Sequence, residues 1–147
     1  MKALALTVFA VLAAISALHA YWAFGGLWPA GDERRLVATV IGAPGRAHMP
    51  PAWMTLTVAA LILAGGLFAL ASQGMIAMGP RWFVRCAVIV LTFVFMARGA
   101  AGYLLPGGVG QTEPFATLDR LYYSPLCLGL GAGFAVLLVF MTRGARP

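Results

Sequence analysis

Four long apolar runs constrain this chain more than any other feature. They cover about residues 4–26, 51–73, 83–104 and 125–142, and each is close to the ~20 residues that a helix needs to cross a hydrocarbon core of ~30 Å. Within lipid, only helices and closed barrels satisfy every backbone hydrogen bond, and these runs are too long for barrel strands. The sequence therefore predicts an all-α integral membrane four-helix bundle.

The composition supports a single transmembrane domain over residues 1–147, with outer loops at 27–50 and 105–124. Hydrophobic residues make up 62% of the 147-residue chain and charged residues 10%, which is far from the balance of a soluble protein. The formal net charge is +6, but the basic residues are scattered, so we expect no nucleic-acid partner. The first run continues through "HAYWAFGG" without a convincing cleavage site, which favours a membrane span over a signal peptide.

The charge distribution predicts that the N-terminus and the C-terminus are both cytoplasmic. In this orientation five basic residues lie inside, namely Lys2, Arg81, Arg85, Arg143 and Arg146. Four basic residues lie outside, namely Arg34, Arg35, Arg46 and Arg120. All four acids then lie outside as well, namely Asp32, Glu33, Glu113 and Asp119. The excess of inner basic residues is small, and acids count for little in the positive-inside rule.

Arg98 is a permanent cation inside the third run. An unpaired arginine at such a depth costs at least ~2.5 kcal/mol on insertion scales. It could snorkel to the outer headgroups, but helical side chains tilt toward the helix N-terminus, which would carry Arg98 deeper. We therefore predict an acidic partner within the bundle. Asp119 is favoured over Glu113, in a bidentate arginine–carboxylate pair.

Asp119 is expected on a short helix that leads into the fourth span. In "TEPFATLDRLYY", Thr112 is a plausible N-cap and Pro114 falls in the first turn. Ser124 then suits the N-cap of a new helix, with Pro125 in its first turn. Three residues of the short helix would share its apolar face, namely Phe115, Leu118 and Tyr122.

His19 is predicted to lie near Arg98. Each is fifteen residues past the start of its run, and both runs cross in the same direction, so both lie at a depth of roughly 22 Å. Intramembrane ionisable groups are candidate functional residues. The first run also has His19, Trp22 and Gly26 on one stripe. The predicted polar cluster comprises His19, Trp22, Arg98, Asp119, Tyr122, Tyr123 and Ser124.

Three motifs resemble a known family: "SALHAYWAFGG", "ARGAAGY" and "FATLDRLYYSPLCLGLG". They are similar to the small bacterial integral membrane proteins of the domain-of-unknown-function family 3995, over nearly the whole chain and in the same order. The resemblance implies a multi-pass protein of the bacterial inner (plasma) membrane, and it implies no activity. Its signature positions are His19, Trp22, Gly25, Gly26, Arg98, Phe115, Asp119, Tyr123, Ser124, Pro125 and Cys127.

Three functions fit the predicted cluster. It could be a structural clasp in an accessory or assembly protein, with a membrane protein or a second copy as partner. It could instead line an outward-facing pocket that binds or transports a small amphipathic or anionic ligand. Finally, His19 and Asp119 could act as a base and its orienter in an enzyme. The sequence has no nucleophile motif and only two histidines, so we assign no catalytic residue, metal or cofactor.

Three further features of the sequence leave alternatives. Gly129 and Gly133 form a G-x-x-x-G, which serves either internal packing or dimerisation. Cys86 and Cys127 should lie roughly 20 Å apart in depth, too far for a disulfide. The segment "RRLVATVIG" of the first outer loop is compatible with a strand pair, a helix or a re-entrant turn.

Overall fold

The regular structure of the chain is helical throughout the residues that the computed structural model describes, 1–105 and 112–143. The four long helices are α1 (Lys2–Ala23), α3 (Ala52–Ser72), α4 (Arg81–Leu104) and α6 (Ser124–Arg143). Two short helices lie in the connections, α2 (Glu33–Val40) and α5 (Phe115–Leu118). Part of the second predicted outer loop and Arg146 lie outside the described residues.

The prediction of four apolar helices is confirmed. α1, α3 and α4 are each long and apolar enough to cross a membrane, and so is the helical stretch from Phe115 to Met141. α1 ends at Ala23, and Gly26, which the sequence suggested on one helical stripe with His19, lies beyond that end.

The four long helices form a ring in which sequence neighbours run antiparallel. α1 packs against α3 and α6, and α4 packs against the same two helices, so α1 and α4 occupy diagonal corners. A hydrophobic core that includes Leu12, Val88, Phe134 and Leu137 fills the centre. Because α1 and α4 run in the same direction, residues at equal depth on these helices face each other only across this core.

Small residues bring the helices together at several levels. The hydroxyl of Ser16 on α1 donates to the carbonyl oxygen of Ala59 on α3 across 2.8 Å. A Cβ atom at Gly133 would lie 3.1 Å from Val8 of α1, whereas one at Gly129 would meet nothing within 4 Å. Gly133 therefore serves internal packing, and the two glycines of the G-x-x-x-G do not share one contact surface.

The two connections at one end of the bundle meet and form a cap, which we define as residues 24–51 and 112–118. Its centre is α2, so "RRLVATVIG" begins as a helix. Leu36 and Val37 of α2 are fully buried. Thr112 donates from its backbone N–H to the carbonyl oxygen of Gly42 across 2.9 Å, which ties the second connection to the first.

The entry into the fourth span differs from the prediction of two separate helices. Between α5 and α6 lies a π-helical turn, Asp119–Tyr123, and the backbone remains helical through Ser124 (φ −68°, ψ −46°). Ser124 is therefore not an N-cap. Pro125 explains the wider turn, because a proline inside an α-helix lacks the N–H and clashes with the carbonyl four residues earlier.

Candidate functional site

Arg98 and Asp119 form an ion pair between α4 and the π-helical turn, as the sequence predicted. Nη2 of Arg98 lies 2.6 Å from Oδ1 of Asp119. The Asp119 side chain is 1% exposed and that of Arg98 is 41% exposed. The pair is not bidentate, however, because Oδ2 of Asp119 accepts instead from the hydroxyl of Ser124 across 3.2 Å. Both carboxylate oxygens are thus engaged within the protein.

The π-helical turn and a glycine create the space for this arrangement. A π turn brings residues five apart onto one face, and the backbone N–H of Ser124 donates to the carbonyl oxygen of Asp119 accordingly. On α4, a Cβ atom at Gly102 would collide with Ser124 and lie 2.6 Å from Oδ2 of Asp119. The motif "ARGAAGY" therefore supplies both the cation and the gap that admits the carboxylate.

Tyr123 connects the same turn to the cap. Its hydroxyl donates to the carbonyl oxygen of Thr39 on α2 across 3.2 Å, and its ring lies 5.7 Å from that of buried Phe115. Tyr122, which the sequence grouped with Phe115 on one apolar face, is 62% exposed. The wider turn shifts the helical phase, so that Tyr123 takes the inner position and Tyr122 faces outward.

His19 and Trp22 do not join this cluster, which corrects the prediction of a single site. Nδ1 of His19 lies 2.8 Å from the carbonyl oxygen of Ile15 on its own helix. The Trp22 indole N–H donates to the carbonyl oxygen of Trp28 across 2.7 Å. His19 and Arg98 were expected at equal depth, but their side chains do not meet, because α1 and α4 lie at diagonal corners of the ring.

The His19 and Trp22 side chains instead line a cavity of about 260 Å³ between α1, α3 and the cap. The two rings lie 5.1 Å apart between centroids. The remaining lining residues come from the end of α2, the loop before α3 and the first turns of α3, namely Val40, Ile41, Met49, Pro50, Met54, Thr55 and Val58. The single polar cluster predicted from the sequence is thus two separate features, an ion pair and a largely apolar cavity.

A carboxylate in the cap holds one wall of this cavity. Glu33 accepts from the backbone N–H of Met49 across 2.9 Å and lies 3.3 Å from Nδ1 of His48. The Met49 hydrogen bond, followed by that with His48, lowers the pKa of the Glu33 carboxyl below its ordinary value of 4.5. Since Met49 and Pro50 line the cavity, this carboxylate fixes the loop that closes it.

Sequence reasoning missed several residues of both features. Thr39 contributes only its backbone carbonyl, which every residue carries, so its role leaves no signal in the sequence. Gly102 and Thr55 had weak signals: a second glycine in "ARGAAGY", and a hydroxyl at the start of an apolar run. Within the described residues no group of three or more His, Cys, Asp or Glu side chains is placed to hold a metal ion.

These observations define a class: a multi-pass membrane protein with a four-helix bundle and a helical cap, in which an ion pair joins α4 to the π-helical turn before α6. A family model described as a protein of unknown function (DUF3995) matches residues 5–134. The chain belongs to this family, in agreement with the resemblance in its three motifs. Searches of curated proteins and of solved structures returned no match.

Proposed function

We propose that the chain is an accessory membrane protein without catalytic activity, in which the Arg98–Asp119–Ser124 cluster is a structural clasp for the cap. The observation that carries this proposal is that both oxygens of the buried Asp119 carboxylate have partners within the protein: one accepts from Arg98 and the other from Ser124. A ligand of this carboxylate would have to displace one of these contacts. A buried carboxylate with hydrogen-bond partners on two helices favours one arrangement of those helices.

Two further hydrogen bonds support the same role. The Tyr123 hydroxyl joins the π-helical turn to α2 through Thr39, and the Tyr103 hydroxyl of α4 donates to the carbonyl oxygen of Arg120 across 3.0 Å. The clasp thus links α4 to the turn, and the turn to the cap. A cap held in one geometry would offer a defined surface to a membrane protein partner or to a second copy of the chain.

Hydrogen exchange on the purified protein in phospholipid nanodiscs tests the clasp. We expect Arg98→Gln to speed amide exchange in α2 and in residues 112–123, while α1 and α3 keep their protection. The matched control is Arg85→Gln, since Arg85 is an exposed arginine near the other end of the same helix. Unchanged exchange in the cap of Arg98→Gln would refute the clasp.

The accessory role has its own test, in the native membrane. A tagged wild-type chain extracted in mild detergent should co-purify with a membrane protein partner, and Arg98→Gln should lose that partner while Arg85→Gln keeps it. If wild type and Arg98→Gln retain the same partners, the cap geometry is not what the partner recognises.

A further inference from the structure

The cavity beside His19 lies apart from the clasp and has the dimensions of a ligand site. Its volume is about 260 Å³. A protein cavity of ~150 Å³ holds a benzene molecule, so this one suits a molecule of roughly ten non-hydrogen atoms. It opens between α1, α3 and the cap, near one end of the membrane-spanning helices, where a molecule dissolved in the membrane could enter.

The walls select an uncharged occupant. Aliphatic side chains and methionines make up most of the lining, and no charged side chain lines the cavity within the described residues. Arg98, a cation of the cluster predicted from the sequence, is paired with Asp119 elsewhere. A charged ligand would lose its hydration without gaining a counter-ion, which is costly.

His19 supplies a hydrogen-bond acceptor in this apolar surrounding. Its Nδ1 lies 2.8 Å from the carbonyl oxygen of Ile15, and a carbonyl only accepts, so Nδ1 carries the proton. In the neutral ring, Nε2 is then an acceptor. Within residues 1–105 and 112–143, Nε2 makes no hydrogen bond.

Thr55 provides a second polar group. The residue is 6% exposed and lines the cavity, yet its hydroxyl makes no hydrogen bond in the described part of the chain. The register of α1 against α3 is fixed by the hydrogen bond from Ser16 to Ala59. His19 comes about one turn after Ser16 on α1, and Thr55 comes about one turn before Ala59 on α3. Because the two helices are antiparallel, His19 and Thr55 lie at the same level.

We propose that this cavity binds a small uncharged molecule that carries a hydroxyl group, an alcohol or a phenol taken from the membrane. The ligand hydroxyl donates to Nε2 of His19 and accepts from the hydroxyl of Thr55. Its hydrocarbon part packs on the apolar wall, which includes Met54 and Val58. The inference does not depend on the clasp, because none of the clasp side chains lines the cavity.

Photoaffinity labelling of the full chain in phospholipid nanodiscs tests the proposal. The two probes are a benzyl alcohol that carries an aryl diazirine, and its methyl ether, which has the same frame but cannot donate a hydrogen bond. Labelled peptides are located by mass spectrometry. We expect the alcohol to label residues 49–58 roughly two- to tenfold more than the ether, the range that one hydrogen bond supports. Around Val90 and Phe93, which are exposed on α4, both probes should label equally.

A matched pair of variants identifies the recognising group. Thr55→Val removes the hydroxyl that donates to the probe oxygen. It should lower labelling of residues 49–58 by both probes severalfold, because the alcohol oxygen and the ether oxygen both accept. Thr57→Val is the control, because the Thr57 hydroxyl already donates to the carbonyl oxygen of Trp53 across 2.8 Å. Equal labelling of residues 49–58 by the two probes in the wild type would overturn the proposal, and so would a folded Thr55→Val protein that both probes label as strongly as the wild type. If Thr55→Val does not fold, the wild-type ratio of alcohol to ether decides.

Discussion

Nη2 of Arg98 donates to Oδ1 of Asp119 across 2.6 Å, between residues that lie 21 positions apart in the chain. The contact joins a membrane-spanning helix to the π-helical turn beneath the cap. Its two ends are unequal, since Asp119 is 1% exposed and Arg98 41% exposed. Loss of the arginine therefore leaves a buried carboxylate with only the Ser124 hydroxyl as partner. A buried charge without its counter-ion lowers the stability of the fold.

A double-mutant cycle measures this coupling. Arg98→Gln and Asp119→Asn should each lower the free energy of unfolding by roughly 1–3 kcal/mol, because each leaves one buried or half-buried partner unsatisfied. The double variant should cost less than the sum of the two, since neither charge then remains unpaired. Unfolding by denaturing detergent in mixed micelles gives the values. Strict additivity would show that the two side chains are not energetically coupled.

Substitution by alanine should destabilise the protein at one glycine, Gly102, and not at another, Gly129. Gly102→Ala places a Cβ against Ser124 and Asp119, so we expect a loss of roughly 1–3 kcal/mol from overpacking. Gly129→Ala meets nothing within 4 Å and should be neutral or gain up to about 1 kcal/mol from helix propensity. The same unfolding assay compares them. A Gly102→Ala protein as stable as Gly129→Ala would contradict the close approach of α4 to the turn.

Tyr122 and Tyr123 are adjacent but lie on opposite faces of the π-helical turn, so their substitutions should have different effects. Tyr123→Phe removes the hydrogen bond to Thr39 and should cost roughly 0.5–1.5 kcal/mol, together with faster amide exchange in α2. Tyr122→Phe is the control, because Tyr122 is 62% exposed and its substitution should change neither quantity. Equal effects at the two positions would argue against the phase shift introduced by the π turn.

The loop that closes the cavity should loosen in acid. The pKa of Glu33 is lowered in the folded protein, mainly by the Met49 backbone hydrogen bond. A lowered folded-state pKa means that the contact stabilises the loop above the ordinary value of 4.5 and is lost as the pH falls through the folded value. The Met49 amide resonance, followed by NMR from about pH 6 to about pH 3, should move with a midpoint below the ordinary glutamate pKa.

The glutamine variant is the control for this titration. Glu33→Gln keeps the side-chain shape but not the titrating carboxyl, so the Met49 amide should show no such midpoint. A Met49 midpoint at or above the ordinary glutamate value in the wild type would mean that the hydrogen bond from Met49 does not favour the ionised carboxylate.

The sequence predicted those features that depend on distance along a helix. Apolar run length predicted the four helices, and the cost of an intramembrane cation pointed from Arg98 to Asp119. Prediction from the sequence failed where the angular position of a residue around the bundle decides which side chains meet. Depth alone grouped His19 with Arg98, although the hydrophobic core lies between their helices.

The turn at Asp119–Tyr123 was missed for a local reason. Ser124–Pro125 is compatible with the first turn of a new helix and equally with the residues that follow a π turn. Only the packing against Gly102 and Thr39 separates the two, and the hydrogen bond to Thr39 uses a backbone carbonyl that has no sequence signature. The Thr55 hydroxyl was missed because an isolated threonine in an apolar run normally bonds to its own helix, as Thr57 does.

The π-helical turn also divides the fourth span into two parts whose side chains can take different orientations about the helix axis. An α-helix rotates by about 100° per residue, so the one extra residue of the turn sets the rotational offset between the side chains that fill the bundle and those that hold the cap. Removing a residue there would turn Asp119 away from Arg98 without altering any packing residue of α6. Insertions and deletions at this point of the chain therefore provide a way to re-orient the cap on an unchanged membrane core.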